Sequence, residues 1–194
     1  MKKAQTEVLT TLLIFVVTLS VVTSVYFFGI PLIEKNKDIA TLEKSEDFIK
    51  NLNTKIKKVA NGGSDQIEFD LPGLFIFNQT DETIEIVLKT TGTKYAEGGW
   101  ISLSRSNQTS GTWGIDEPEI IEVKSVKISE KKYITTFKLS YRELKAEKNS
   151  YKISLISSSG TSIVSGGGHT ITITYGGLSK SEDLIKTNVK INIV

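Results

Sequence analysis

The chain has 194 residues and no cysteine, which excludes disulfides, cysteine nucleophiles, zinc-thiolate sites and iron–sulfur clusters. Its single histidine cannot by itself supply a multi-histidine metal site or a histidine-based catalytic relay. Lysine and arginine number 24 against 22 acidic residues, and this net charge of +2 is too small to indicate nucleic-acid binding. We therefore expect a protein that is not an enzyme and that holds no cofactor and no metal.

Charge is also absent from one long segment, because residues 8–33 contain no charged side chain. As a helix this apolar segment would be roughly 39 Å long, enough to cross the roughly 30 Å hydrocarbon core of a bilayer. Lys2 and Lys3 precede it, and Glu34 and Lys35 follow it. Because the positive flank stays in the cytoplasm, we expect the N-terminus inside the cell and the rest of the chain outside.

Two ordinary interpretations of the apolar segment can be compared. A cleaved secretory signal peptide has an apolar core of about 7–15 residues followed by a small-residue cleavage site, and this segment has neither feature. A permanent single-span membrane anchor agrees with its length and composition. The anchor therefore stays open as an interpretation.

The residues ahead of the apolar segment suggest a third interpretation. The sequence KKAQTE, residues 2–7, resembles the class III signal peptide of archaeal type IV pilin-like proteins. In that family a prepilin peptidase cuts after the small residue that ends a short basic leader, and the apolar helix is retained. The resemblance implies a leader peptide of residues 1–4, cleavage between Ala4 and Gln5, and a new N-terminus at Gln5.

Glu7 would be the third residue of the processed chain. The resemblance assigns it to filament assembly, whereas bacterial-type pilins carry their glutamate at the fifth position. The alternative is a carboxylate near the first turn of a helix, where the helix macrodipole favours negative charge. The sequence leaves both interpretations open.

The helix is predicted to continue beyond the apolar segment. Within residues 34–60 the apolar residues recur at helical spacing on one side, and they are Ile39, Leu42, Ile49, Leu52, Ile56 and Val59. Two glycines after Asn61 should end this amphipathic part. Pro31 predicts a kink or a short melted stretch. We expect one rod over residues 5–61, with its membrane-spanning or filament-core part in 8–33.

Beyond residue 62 the periodicity changes to two, which predicts β-strands. The predicted strands are nine: 66–70, 74–78, 83–89, 99–104, 119–130, 131–142, 151–157, 169–175 and 188–194. We predict an α+β fold in which residues 62–194 form an extracellular antiparallel β-sandwich and the helix covers one sheet. The expected large core residues are Phe69, Phe75, Phe77, Trp100, Phe137 and Tyr151.

Few residues of this domain suggest a functional site. Asn78 and Asn107 begin N-x-Ser/Thr tripeptides in predicted loops, and they are candidate N-glycosylation sites. Trp113, in the SGTWGID loop, is either a core residue or part of an aromatic binding platform. His169 opens a predicted strand and should make one hydrogen bond. We predict no catalytic residue and no metal ligand.

The resemblance implies a structural subunit, a major or minor pilin, of an archaeal type IV pilus-like surface filament. Its helix would leave the membrane and pack with copies of itself or other pilins, and its β-domain would be exposed for adhesion. The implied partners are the membrane, the prepilin peptidase and these subunits, with no nucleic acid. The alternative is a permanently membrane-anchored extracytoplasmic binding module, such as an archaellum accessory or envelope-binding protein.

Overall fold

The N-terminal part of the chain is one continuous helical rod. The computed structural model describes residues 2–104, 111–130, 132–157, 160 and 162–194, with side chains from residue 7 onward. Helix α1 spans Lys2–Ser24, a π-helical turn spans Val25–Gly29, and helix α2 spans Ile30–Ala60. At 1.5 Å per residue the rod is about 88 Å long. The single long N-terminal helix predicted from the sequence is therefore present.

Two glycines end the rod, as predicted. Gly62 and Gly63 have φ angles of 118° and 92°, which only glycine adopts at little cost. The Gly62 N–H donates to the Val59 carbonyl at 2.8 Å and so satisfies part of the open helix end. Lys57 and Lys58 in the last turn place positive charge where the macrodipole favours it.

The described residues beyond the rod form twelve strands in two sheets. The strands are β1 Ser64–Phe69, β2 Leu74–Asn78, β3 Thr83–Thr90, β4 Ile101–Ser102, β5 Gly111–Thr112, β6 Glu119–Ser129, β7 Lys132–Tyr141, β8 Leu144–Lys145, β9 Ser150–Ile156, β10 Ser162–Ser165, β11 His169–Ser181 and β12 Leu184–Ile193. One sheet has the order β1-β11-β12-β9-β8-β5 and the other β10-β2-β3-β7-β6-β4. The fold is α+β, as predicted.

The two sheets depart from a strictly antiparallel sandwich. Strand β12 pairs in parallel with β9, and β5 pairs in parallel with β8. One sheet curls into a half-barrel. Helix α2 contacts β1, β11 and β12 of one sheet and β3, β6 and β7 of the other. The expectation that the helix covers one sheet is wrong, because its buried side also includes Ser45 and Asn53 and is wide enough to reach both.

The hydrophobic core lies where α2 meets the two sheets. The stripe residues Leu42, Ile49, Leu52, Ile56 and Val59 are buried and share one cluster with the fully buried rings of Phe69, Phe75, Phe77 and Phe137. Within this core the Tyr141 hydroxyl donates to Asn53 Oδ1 at 2.7 Å. Both polar groups therefore have a partner where water is excluded.

Two of the predicted core aromatics lie outside this cluster. Trp100 is 41% exposed, and the Lys138 ammonium lies 4.3 Å from its ring centroid. The strand expected over residues 99–104 is reduced to β4, which begins after Trp100 and does not hold it on an inner face. Tyr151 is half-buried and stacks on another ring, that of Trp113.

Leu52→Ala should destabilise the β-domain, since Leu52 is fully buried between α2 and the sheets. Loss of a buried leucine side chain lowers the free energy of unfolding by about 2–5 kcal/mol. The matched control is Leu12→Ala, because Leu12 is 63% exposed on α1. Urea unfolding of the full chain in detergent micelles, followed by tryptophan fluorescence, measures both. Equal stability of the two variants would contradict a core built on α2.

Candidate functional site: an uncovered apolar helix

The first half of the rod is apolar on every side and is not covered by the rest of the described chain. Its large apolar side chains are exposed by fractions from 42% for Ile30 to 78% for Phe28. A helix that is hydrophobic all round belongs in a protein core or a membrane, and an apolar surface of this size is unfavourable in water. The described residues contain one candidate membrane-spanning helix, and it carries this segment.

Hydroxyl groups within the apolar segment bond to the helix itself. Four of them donate to the backbone carbonyl four residues earlier at 2.8–2.9 Å: Thr11, Thr18, Ser20 and Ser24. Hydrocarbon offers no hydrogen-bond partner, so these internal bonds lower the cost of placing a hydroxyl in lipid. At these positions the segment can sit in lipid or against another apolar helix without an unpaired hydroxyl.

The helix changes its geometry just before Pro31. The π-helical turn Val25–Gly29 is closed by a bond from the Ile30 N–H to the Val25 carbonyl. In a regular α-helix the Pro31 ring would clash with the Phe27 carbonyl and leave it without a donor. A π turn at this point accommodates the proline. The predicted interruption is thus a π turn inside a continuous helix, and no melted stretch occurs.

The residues predicted for processing and assembly share one short stretch of α1. Ala4 and Gln5 lie in the helical backbone within the first turns, and Glu7 follows on the same helix. Glu7 is exposed, so its carboxylate is accessible to a partner. The structure leaves the roles of these three residues as predictions, and the candidate glycosylation sites lie beyond the rod in the sequence.

Asn78 shapes the hairpin turn between β2 and β3. Its Oδ1 accepts the backbone N–H groups of Thr80 and Asp81 at 3.0 and 3.3 Å, and its Nδ2 donates to Asp81 Oδ2 at 2.7 Å. The side chain that would carry a glycan is thus held at a hairpin tip, where Asn78 is half-buried and Thr80 is exposed. Asn107 lies outside the described residues.

Polar contacts fix the β-domain to the rod soon after the apolar segment ends. Asp38 Oδ2 accepts both the backbone N–H and the hydroxyl of Thr91 at 2.6 Å. Two turns further along α2, Glu46 accepts a hydrogen bond from the Tyr95 hydroxyl at 2.7 Å and pairs with Lys94 at 3.0 Å. The loop of residues 91–95 thus holds α2 at two levels, and we call these contacts the helix clamp.

The surroundings of Glu46 stabilise its charged form. Burial opposes ionisation, but hydrogen bonds from Lys50, Tyr95 and Lys94 outweigh it and lower the pKa of Glu46 to about 2. Burial and the bond to Glu46 also raise the pKa of Tyr95 above its ordinary value. Because the pKa of Glu46 is lowered in the folded state, its contribution to stability is full above its ordinary pKa of 4.5 and is lost as the pH falls toward 2.

The surroundings of Trp113 were only partly predictable. Trp113 is 52% exposed, so the core interpretation is wrong. Its ring stacks on Tyr151 with centroids 4.3 Å apart and 22° between the planes. The flanking glycines indicated a loop, but nothing in the spacing pointed to contact with Tyr151. His169 opens β11 with its Nε2 3.3 Å from the Ser165 carbonyl, in agreement with the predicted strand-end contact.

Neither a metal site among the described residues nor a comparison with known proteins indicates a function. Over the residues that the structure describes, no group of three or more histidine, aspartate or glutamate side chains is arranged to hold a metal ion. Comparison with protein-family models, curated proteins and solved structures finds no match to this chain. The function has to be inferred from the residues of the chain itself.

Glu46→Gln should weaken the helix clamp and reduce the acid sensitivity of the fold. Loss of the charged hydrogen bonds should lower the free energy of unfolding near neutral pH by about 1–3 kcal/mol. The difference from wild type should then shrink as the pH is lowered from about 5 to 2, because wild-type Glu46 becomes protonated. Urea unfolding of the full chain in micelles over this pH range measures both effects.

The control for this experiment is Glu43→Gln. Glu43 is 59% exposed and lies 3.9 Å from the Lys94 ammonium, so its loss should change little. If Glu46→Gln and wild type had parallel profiles of stability against pH, the assigned role of Glu46 would be wrong.

Proposed function

We propose that the chain is a structural subunit, a major or minor pilin, of an archaeal type IV pilus-like surface filament. The observation that carries the proposal is the uncovered apolar segment of residues 8–33, which continues as one helix into the core of the β-domain. A segment that only directs export has no need to be continuous with a core helix. A segment that holds the folded domain to a membrane or filament does need to be continuous with that domain.

The apolar segment suits both environments that the proposal requires. Before assembly it spans the membrane with its N-terminus in the cytoplasm, and in the filament it contacts copies of itself. Association of apolar helices in lipid depends on close packing and not on the hydrophobic effect, so lipid contacts can be exchanged for protein contacts. Small hydroxyl side chains such as Thr11, Thr18 and Ser20 allow helices to approach closely.

The outer side of α2 supports a filament core limited to the apolar segment. The side chains that α2 turns away from the β-domain are polar and exposed, and they include Lys44, Asp47, Asn51 and Thr54. Such a surface is suited to water and not to the interior of an apolar helix bundle. In the proposed filament the helices therefore pack together up to Ile33, and the β-domain with its candidate glycans at Asn78 and Asn107 lies outside.

Processing by a prepilin peptidase gives the first test. In native cells the mature chain should begin at Gln5, and intact-mass spectrometry should show the loss of residues 1–4. Ala4→Leu should block this cleavage, because the site requires a small residue in the family that the leader resembles. Ala40→Leu is the matched control, since Ala40 is exposed on α2 outside the leader. Cleavage of Ala4→Leu at the wild-type position would count against the peptidase assignment.

Assembly needs a second test, because processing alone does not make a filament. Surface material sheared from cells should contain filaments in electron micrographs, and mass spectrometry should find the processed chain in them. Cells that carry only Ala4→Leu should retain the chain in their membranes. If processed wild-type chain also stayed wholly in the membrane fraction, the filament would be ruled out in favour of the permanently anchored binding module. Release of a soluble β-domain cut after Pro31 would overturn both.

A further inference from the structure

A cavity of about 480 Å³ lies between the C-terminal end of α2 and one edge of the sheet that contains β9. Five parts of the chain line it: the end of the rod at residues 57, 60 and 61, the loop of residues 113–118, Leu144 on β8, residues 151–153 on β9, and Thr187 on β12. Its volume is in the range typical of pockets for small ligands. None of its lining belongs to the apolar segment, so the cavity is distinct from the site described above.

The stacked rings of Trp113 and Tyr151 form one wall of the cavity. About half of the Trp113 surface remains exposed although one of its faces is against Tyr151. Ile115, which is 82% exposed, extends this apolar surface. A flat aromatic surface of this kind binds a ligand that has an apolar face of similar size.

The loop that presents Trp113 is held in one conformation. The Asp116 N–H donates to the Thr112 carbonyl at 2.9 Å, and the Thr112 N–H donates to Asp116 Oδ2 at 2.6 Å. Gly114 has a φ of 83°, which lets the chain turn tightly between them. The backbone N–H of Trp113 donates to the Lys145 carbonyl on β8 at 3.1 Å. An indole ring fixed in advance loses little entropy when a ligand binds.

The charges around the cavity are paired with one another. Lys57 binds Glu117 at 2.8 Å and Glu119 at 3.0 Å, and Lys152 binds Glu82 at 2.6 Å. An anionic ligand would have to displace these carboxylates, and a cationic ligand would meet two ammonium groups. The electrostatics therefore favour a neutral ligand whose hydroxyl groups can hydrogen-bond to the exposed side chains of Asp116, Glu117 and Asn61.

We propose that this cavity binds a neutral carbohydrate, with the C–H face of a sugar ring on Trp113 and its hydroxyls at the polar rim. A sugar ring combines an apolar face with hydrogen-bonding edges, which is the combination that the cavity offers. The cavity lies at the end of α2 farthest from the apolar segment, about 40 Å along the helix from Ile33. The inference goes beyond the proposed function, because it holds whether the apolar segment packs in a filament or stays in the membrane.

Saturation-transfer NMR on the full chain tests the proposal, in micelles of lauryldimethylamine oxide because this detergent carries no sugar. The probes are the methyl glycosides of glucose, galactose, mannose and N-acetylglucosamine, each measured separately. At least one should receive saturation from the protein, strongest at the C–H protons of one ring face. Trp113→Ala should weaken its binding by about tenfold or more, which is the scale of one lost aromatic stack.

Trp100→Ala is the matched control, because Trp100 is also exposed but lies outside the cavity, and the chain has two tryptophans. It should bind as wild type does. Trp113→Phe keeps a ring against Tyr151 and should bind with intermediate affinity, which separates loss of the platform from loss of folding. The proposal is overturned if none of the four glycosides binds, if Trp113→Ala binds as wild type does, or if both tryptophan variants lose binding equally.

Discussion

The molecule depends on one helix whose two halves require different surroundings. Over residues 8–33 apolar side chains point in every direction, whereas from Ile39 to Val59 they are confined to one side. The second half is covered by the two sheets, and the first half is left uncovered by the described residues. Because the backbone stays helical through the turn at Val25–Gly29, whatever covers the first half also holds the β-domain.

The β-domain is built around α2 and is not simply attached to it. Apolar burial of the stripe provides most of the stabilisation, since it scales with the area removed from water. Polar contacts on both sides of the stripe, such as Glu46 with Lys94 and Lys55 with Asp65, contribute less to stability than this burial. Their placement instead fixes the rotation of the helix about its axis. The apolar core thus holds the helix, and the polar contacts at its margins determine which side faces inward.

The parts of the fold that the sequence predicted are those with a strong local period. Strand β2 was found with its expected bounds, and every predicted stripe residue of α2 except the half-buried Ile39 lies in the core, because alternation and helical spacing are local properties. Strands β5 and β8 were missed because each has two residues, which is too short to show an alternating pattern. Strand β11 continues past its predicted end at Tyr175, because pairing with β12 resumes at Leu178 after a register shift at the two intervening glycines. The parallel pairing of β9 with β12 joins residues far apart in the sequence, and no local pattern predicts it.

The candidate sites divide in the same way. The apolar segment is recognisable from composition because it consists of consecutive residues, and the proposed leader with its Ala4–Gln5 junction is likewise a local pattern. The aromatic cavity needs the end of α2, a loop and β9 to meet, so from the sequence Trp113 alone was conspicuous. These two features lie at opposite ends of α2. A ligand held at Trp113 would be joined to the apolar segment through a helix whose stripe is packed into the core, so a force on one end would be transmitted through the hydrophobic core.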